Sequence, residues 1–338
     1  MLTTPFFLLN AGSYHSHPSS LFALTALALC LTWGEEHPAA SAPFLLAGAA
    51  FGLAVLIRPF SALLVGIPLL AAFAPALARS SGLGRAALLF ALGGLPFALF
   101  LAAVNLSVTG SWWRMAWTYY EPSETLGFGP YGHTPWQGLK TTIRLTAEGV
   151  LYTSLVGAVL LVAGWRRRFA KRWLAWTLLL APIVGHVFWW SHGGNRYGPR
   201  LYFEALLPFT VIAGAGLERL TARRRVRTLA LVAGTLCVSV SAARVMRAHR
   251  QVHERRDVYR VVESAGVANA VVLLTTTSAD MVRVDLTRNP PDFERAPVLF
   301  GLARGALDAD VRQAHPDRAV YFYRWSPGGG ALSGDPDR

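Results

Sequence analysis

Apolar positions run along most of this chain in long blocks, separated by short polar or proline-containing breaks. Ser19 or Ser20 can cap a first apolar helix that runs to about Trp33, and Gly34-Glu35-Glu36-His37-Pro38 closes it as a tight loop. A second helix is predicted over 41–57, where Gly48, Ala49, Ala50 and Gly52 suit close helix contact. Arg58-Pro59 interrupts the run, because proline lacks an N–H and disfavours helix in the residue before it. Further helices are predicted over 60–77, 86–104, 148–164, 173–190, 202–217 and 228–243. Residues 105–146 break the pattern with aromatics, glycines and prolines, and read as a long interfacial loop. Loops of that length tend to carry function.

After about Arg250 the pattern becomes that of a soluble domain. An amphipathic helix is predicted over 257–264, buried strands over 270–275, 297–301 and 318–324, and a helix over 306–314. The fold expected is an all-α polytopic membrane bundle of about eight transmembrane helices over 1–249, with a small C-terminal α/β domain over 250–325. From 326 to 338 the tail is Gly/Pro-rich and expected to be disordered.

Composition supports the membrane reading. Of 338 residues 53% are hydrophobic and only 15% charged, with mean hydropathy +0.37. A soluble domain carries about a quarter charged residues. The net charge of +13 and pI near 10.5 would suit nucleic acid, but the arginines cluster in short loops between apolar runs, so no nucleic-acid partner is expected. The basic loops 79–85, 166–172 and 219–227 fall on one side in this helix count and are expected to be cytoplasmic. The loop 105–146, the Arg58-Pro59 break, His15, His17 and residues 191–208 then share the opposite, extracytoplasmic face. The arginines from Arg244 to Arg256 run against that rule. The expected location is the inner membrane, multi-pass, with the active face and the C-terminal domain outside. Cys30 and Cys237 sit in apolar runs, so no disulfide framework is indicated. The apolar stretch directly after Met1 is too short to span and has no basic flank, so it reads as the end of a helix whose beginning lies upstream. The Arg-, Ala- and Leu-rich usage resembles a high-GC bacterial chain.

Candidate chemistry concentrates in residues 191–208, where His192, Arg196, Tyr197, Arg200, Tyr202 and Glu204 are punctuated by Gly193, Gly194, Gly198 and Pro199. Ionisable groups at the mouth of a membrane bundle are costly and mark sites. Arg196 and Arg200 offer planar forks for a phosphate. Glu204, about one helical turn beyond Arg200, can orient that arginine or act as a base; the plainer alternative is an interfacial ion pair that seats the helix. Arg58 meets an anion or snorkels. Glu121, Glu124 and His133, in the long loop, are candidates for general base or ligand, against a tight turn with solvated carboxylates. His15 and His17 read as a capping or interfacial pair, and His186 as a satisfied core histidine. No phosphate loop, Cys/His cluster or serine elbow is present, so no cofactor is expected, with a divalent metal left open.

The order of an Arg-Pro break, a loop with Leu126-Gly127-Phe128-Gly129 and His133-Thr134-Pro135, and then Tyr197-Gly198-Pro199-Arg200-Leu201-Tyr202-Phe203-Glu204-Ala205 resembles bacterial membrane glycosyltransferases of the GT-C superfamily. The branch it resembles is that of protein O-mannosyltransferases and aminoarabinose transferases (glycosyltransferase family 39), over roughly residues 2–250. The resemblance implies transfer of a sugar, with inversion, from a polyprenyl-phosphate donor to a glycan, lipid or protein acceptor on the extracytoplasmic side. It implies Arg58, Arg196 and Arg200 on the phosphate side, with Tyr197, Tyr202 and His192 nearby, and Glu121 or Glu204 on the acceptor side. The family's catalytic carboxylate normally lies in a first outer loop, ahead of the matching segment, and has no counterpart here. Other classes consistent with the sequence are a non-catalytic membrane subunit of envelope glycan assembly and a lipid or sugar-lipid transporter.

Overall fold

The computed structural model describes residues 7, 16–80, 82–116, 126–165, 169, 171–189, 194–195, 198–221, 243, 246, 256–275, 289–290, 292–303, 305, 308–324 and 329–334. The chain divides into two compact units, Met1–Val245 and Met246–Arg338.

The first unit is helical. Its described helices are α1 (His17–Glu36), α2 (Ala42–Ile57), α3 (Pro59–Ser80), α4 (Leu83–Thr109), α5 (Pro135–Trp165), α6 (Arg172–Gly185) and α7 (Leu206–Thr221). Short 3-10 turns stand at Pro130–Gly132, His186–Phe188 and Arg200–Ala205. On α1, Ser20, Ala23, Leu24, Leu27, Leu31 and Gly34 recur at helical spacing and form its buried stripe. That stripe packs with Phe44, Ala47 and Ala54 of α2, with Ala62, Val65, Leu69 and Phe73 of α3, and with Leu174 and Leu178 of α6. Helices α2 and α4 meet backbone to backbone. A Cβ added at Gly48 would overlap the Phe90 carbonyl, and one at Gly93 would overlap the Leu45 carbonyl. The outer face of α4 presents Leu88, Leu92, Leu95 and Leu99 unburied.

The membrane bundle expected from the sequence is coarser in the structure. Among the described residues three helical segments are long and apolar enough to cross a membrane: Pro59–Ala76, Leu83–Thr109 and Arg200–Leu220. The expected count of about eight is not reached, for physical reasons that differ by helix. Ala42–Ile57 and Arg172–Phe188 are apolar but short. The apolar run of α1 is bounded inside the helix by His17 and by Glu35-Glu36. The helix expected over 228–243 lies outside the described residues apart from residue 243. The long loop is also shorter than expected. Helix α4 continues to Thr109 and α5 begins at Pro135, so 105–109 and 135–146 are helical.

The second unit is a four-stranded sheet in the order β4-β3-β5-β6, built from β3 (Ala270–Thr275), β4 (Val298–Leu302), β5 (Ala319–Arg324) and β6 (Ala331–Ser333). The first unit's β1 (Gly194–Asn195) and β2 (Gly198–Pro199) form a separate antiparallel pair. Strand β3 runs parallel to β4 and β5. A central parallel strand is covered on both faces, which is why Ala270–Leu274 is an unbroken apolar run with every residue buried. Val272, Leu274 and Tyr323 pack with Val258 and Val262 of α8 (Asp257–Ser264). Val271, Leu273 and Phe322 pack on the other face with Leu299 and with Val311 of α9 (Asp308–Ala314). The tail expected to be disordered contributes β6, which pairs antiparallel with β5. Asp257 accounts for part of that order. Its Oδ2 accepts from Gly330 N at 2.7 Å and from the Tyr323 hydroxyl at 3.1 Å. Burial, with the Asp257 carboxylate beside it, pushes the Tyr323 phenol well above its ordinary pKa.

Candidate functional site

The site begins at the Arg58-Pro59 break. Proline cannot continue the ladder of α2, so Arg58 leaves helical geometry at φ −150°, ψ 82° while its N–H still bonds the Ala54 carbonyl at 2.8 Å. The guanidinium therefore projects from the junction of two helices. Its Nε–H is given to Ser61 Oγ at 3.3 Å, and its NH1 lies 3.1 Å from His17 Nε2 and 3.5 Å from Ser16 Oγ. Arginine only donates, so His17 Nε2 is the acceptor and its ring proton sits on Nδ1. Nδ1 faces Glu204 Oε1 at 4.0 Å, and Arg58 Nε stands 3.2 Å from the same oxygen.

Glu204 arrives from the other end of the chain on the 3-10 turn Arg200–Ala205. The sequence suggests Arg200 and Glu204 as neighbours one α-helical turn apart. On a 3-10 turn, residues four apart point about 120° away from each other. Glu204 accordingly turns inward, 1% exposed, to pair with Arg58. The Ser20 and Ser61 hydroxyls lie beside its carboxylate, and the attraction to Arg58 is the largest electrostatic contact that compensates its burial. Arg200 instead lines a cavity.

That cavity, of about 510 Å³, is walled by Ser16, His17, Arg58 and Ser61 on one side and Arg200 and Leu201 on another. Leu56, Phe100, Leu101 and Val104 supply an apolar flank, and His186 and Trp189 also line it. Asn105 fixes the chain beyond α4. Its Oδ1 accepts from Ala116 N at 3.0 Å and its Nδ2 donates to the Trp112 carbonyl at 3.2 Å.

The Leu-Gly-Phe-Gly segment is fastened beside the cavity rather than in it. Gly127 N donates to the Phe188 carbonyl at 2.8 Å and Leu126 bridges Trp189. Gly127 and Gly129 have φ of 103° and 108°, which side chains other than glycine resist. His133, 4% exposed, bonds the Val187 carbonyl through Nε2 at 3.0 Å and packs its ring, tilted, against Phe128. It pins this loop and does not line the cavity.

Tyr202 is buried behind the wall, its hydroxyl among those of Thr142 and Thr146 and its ring edge-on to His186. The structure thus brings Arg58, Arg200 and, behind them, Glu204 and Tyr202 together, and leaves His133 apart. Glu121, Glu124, His15, His192, Arg196 and Tyr197 lie outside the described residues.

Two residues gain weight. His17, which the sequence reads as capping or interfacial, is the third member of a buried Arg58–His17–Glu204 group. His186, which the sequence reads as core, stands in the cavity wall with Nδ1 2.6 Å from the Pro182 carbonyl. The only hint of the latter was its place four residues after a proline, just before the polar segment. Among the described residues no group of three or more His, Cys, Asp or Glu is arranged to hold a metal ion.

No protein-family model, curated protein or solved structure matches the chain.

Proposed function

We propose that the protein is an integral membrane glycosyltransferase that moves a sugar from a polyprenyl-phosphate donor to a glycan, lipid or protein acceptor on the extracytoplasmic side of a membrane. The observation that carries this reading is that Arg58 and Arg200, far apart in sequence, line one cavity with an apolar flank. Two guanidinium groups over Leu56, Phe100 and Leu101 suit an anionic head on an isoprenoid chain. The volume is within the range of small-molecule sites. In a single displacement the bond from the anomeric carbon to phosphate breaks, and fixed cations aimed at the departing oxygen lower that barrier. Arg58 is held in place beforehand by Ser61, His17 and Glu204, so little reorganisation accompanies the charge shift.

The test is a transfer assay with the protein in liposomes, using radiolabelled polyprenyl-phosphate hexoses and pentoses and bacterial envelope membranes as acceptor. Arg200→Ala is expected to lose about 100-fold or more in turnover, as when an oxyanion donor is removed, with little loss of fold. Equal turnover in Arg200→Ala removes that residue from the site, and no transfer by the wild type overturns the enzyme reading. The withdrawal of Glu204 into its ion pair and of His133 onto Val187 favours one second reading: a lipid-phosphate-binding subunit without turnover.

A further inference from the structure

Resting on the transferase reading above, the geometry points to His186 as the group that takes the acceptor's proton. A displacement at an anomeric carbon by a hydroxyl needs a base within reach of that hydroxyl. Of the carboxylates and imidazoles the sequence offered and the structure describes, Glu204 is sealed behind Arg58, His17 lines the cavity but its Nε2 lone pair accepts from Arg58, and His133 is bonded away from the cavity. His186 differs from all three. It lines the same cavity as Arg58 and Arg200. Its Nδ1 lies 2.6 Å from the Pro182 carbonyl, an acceptor, so the ring proton sits on Nδ1 and the lone pair on Nε2. A carbonyl that fixes one ring nitrogen and leaves the other free as an acceptor is the arrangement that sets up histidine bases.

The orientation follows from local structure. Helix α6 ends at Gly185 and tightens into the turn His186–Phe188, which carries the ring off the helix end. Phe60 and Tyr202 then hold it edge-on, with centroids 5.3 and 5.6 Å away. Among the described residues the hydrogen bond of the ring runs through Nδ1, and none is made through Nε2. Gly185 allows the close approach to α3, since a Cβ there would meet the Leu64 side chain.

The step balances within the donor and acceptor. The acceptor hydroxyl gives its proton to Nε2 of His186 while its oxygen forms the new bond to the anomeric carbon. The bond from that carbon to the phosphate oxygen breaks, and its electron pair leaves with the polyprenyl phosphate beside Arg58 and Arg200. The imidazolium returns its proton to water as the products depart.

The experiment compares wild type, His186→Ala and His186→Asn in liposomes, with the same panel of radiolabelled polyprenyl-phosphate sugars. Donor binding is measured separately with a labelled polyprenyl phosphate. The asparagine variant keeps a donor for the Pro182 carbonyl but has no Nε2, so it carries the test if the alanine variant does not accumulate. Both variants are expected to bind the lipid phosphate within about twofold of wild type and to lose about 100-fold or more in kcat, the usual contribution of a general base. Added imidazole should restore turnover to His186→Ala in proportion to its free-base concentration, and should do nothing for Arg200→Ala. Full turnover in either variant overturns the assignment while leaving the transferase reading intact. So does lost turnover that imidazole does not restore in a folded, donor-binding His186→Ala. Absence of transfer by the wild type overturns both.

Discussion

Glu204 and Arg58 give the sharpest prediction, because the cost of removing one differs from the cost of removing both. The carboxylate of Glu204 has no side-chain exposure, and the Arg58 side chain keeps 18%. At 3.2 Å, with an effective dielectric near 20, their attraction is about 5 kcal/mol, most of which offsets desolvation. Arg58→Met strands a buried carboxylate and should cost about 3–5 kcal/mol. Glu204→Gln should sit at the lower end of that range, since Ser61, Ser16 and His17 still engage the guanidinium and the cavity leaves it partly hydrated. The double variant removes both charges and should return to within about 1 kcal/mol of wild type, as replaced buried pairs commonly do. For a unit of this size, about 2–4 °C of melting temperature accompanies each kcal/mol. Thermal unfolding in detergent should therefore show each single variant lowered by about 6 °C or more, with the double variant close to wild type. Additivity of the two single effects, within about 0.5 kcal/mol, would refute the argument that the pair is one electrostatic unit. The same double variant separates stability from chemistry: it should fold and still fail to transfer sugar, because Arg58 also faces the cavity.

Gly93→Ala should lower the melting temperature by about 2–8 °C, equivalent to about 1–2 kcal/mol of overpacking, because the new methyl meets the Leu45 carbonyl across the α2–α4 contact. Gly84→Ala, on the same helix but with open space around it, is the control and should not lower it. In the second unit, Tyr323 has a folded pKa above its unfolded value of about 10. Its contribution to stability is complete below about pH 10 and falls as the pH rises further, since the unfolded phenol then releases its proton first. Denaturant unfolding of wild type between pH 8 and 11 should show that decline, and Tyr323→Phe should remove the part due to this group. A decline of equal steepness in both proteins would assign it elsewhere.

How much of this was legible in the sequence depends on whether the information was local. Arg58-Pro59 declared itself because proline's missing N–H acts on its immediate neighbours, and the break fell where the sequence put it. The strand Ala270–Thr275 was equally plain, since an unbroken β-branched and leucine run fits a strand buried on both faces. The helix ends were less legible. Pro135 starts α5 well before the apolar run resumes, because proline is favoured in a helix's first turn and the polar residues after it line one flank of a long helix. The partner of Glu204 could not be read at all. Its choice of Arg58 over Arg200 turns on whether residues 200–205 wind with three residues per turn or nearly four. Apolar pattern does not distinguish those windings over six residues; the packing of Phe203 and Leu206 into the bundle does. Once that winding is set, the rest of the site follows from it. Glu204 goes inward to hold Arg58 and Tyr202 goes behind His186. Arg200 lines the cavity, and so does the His186 imidazole to which the proton transfer is assigned above.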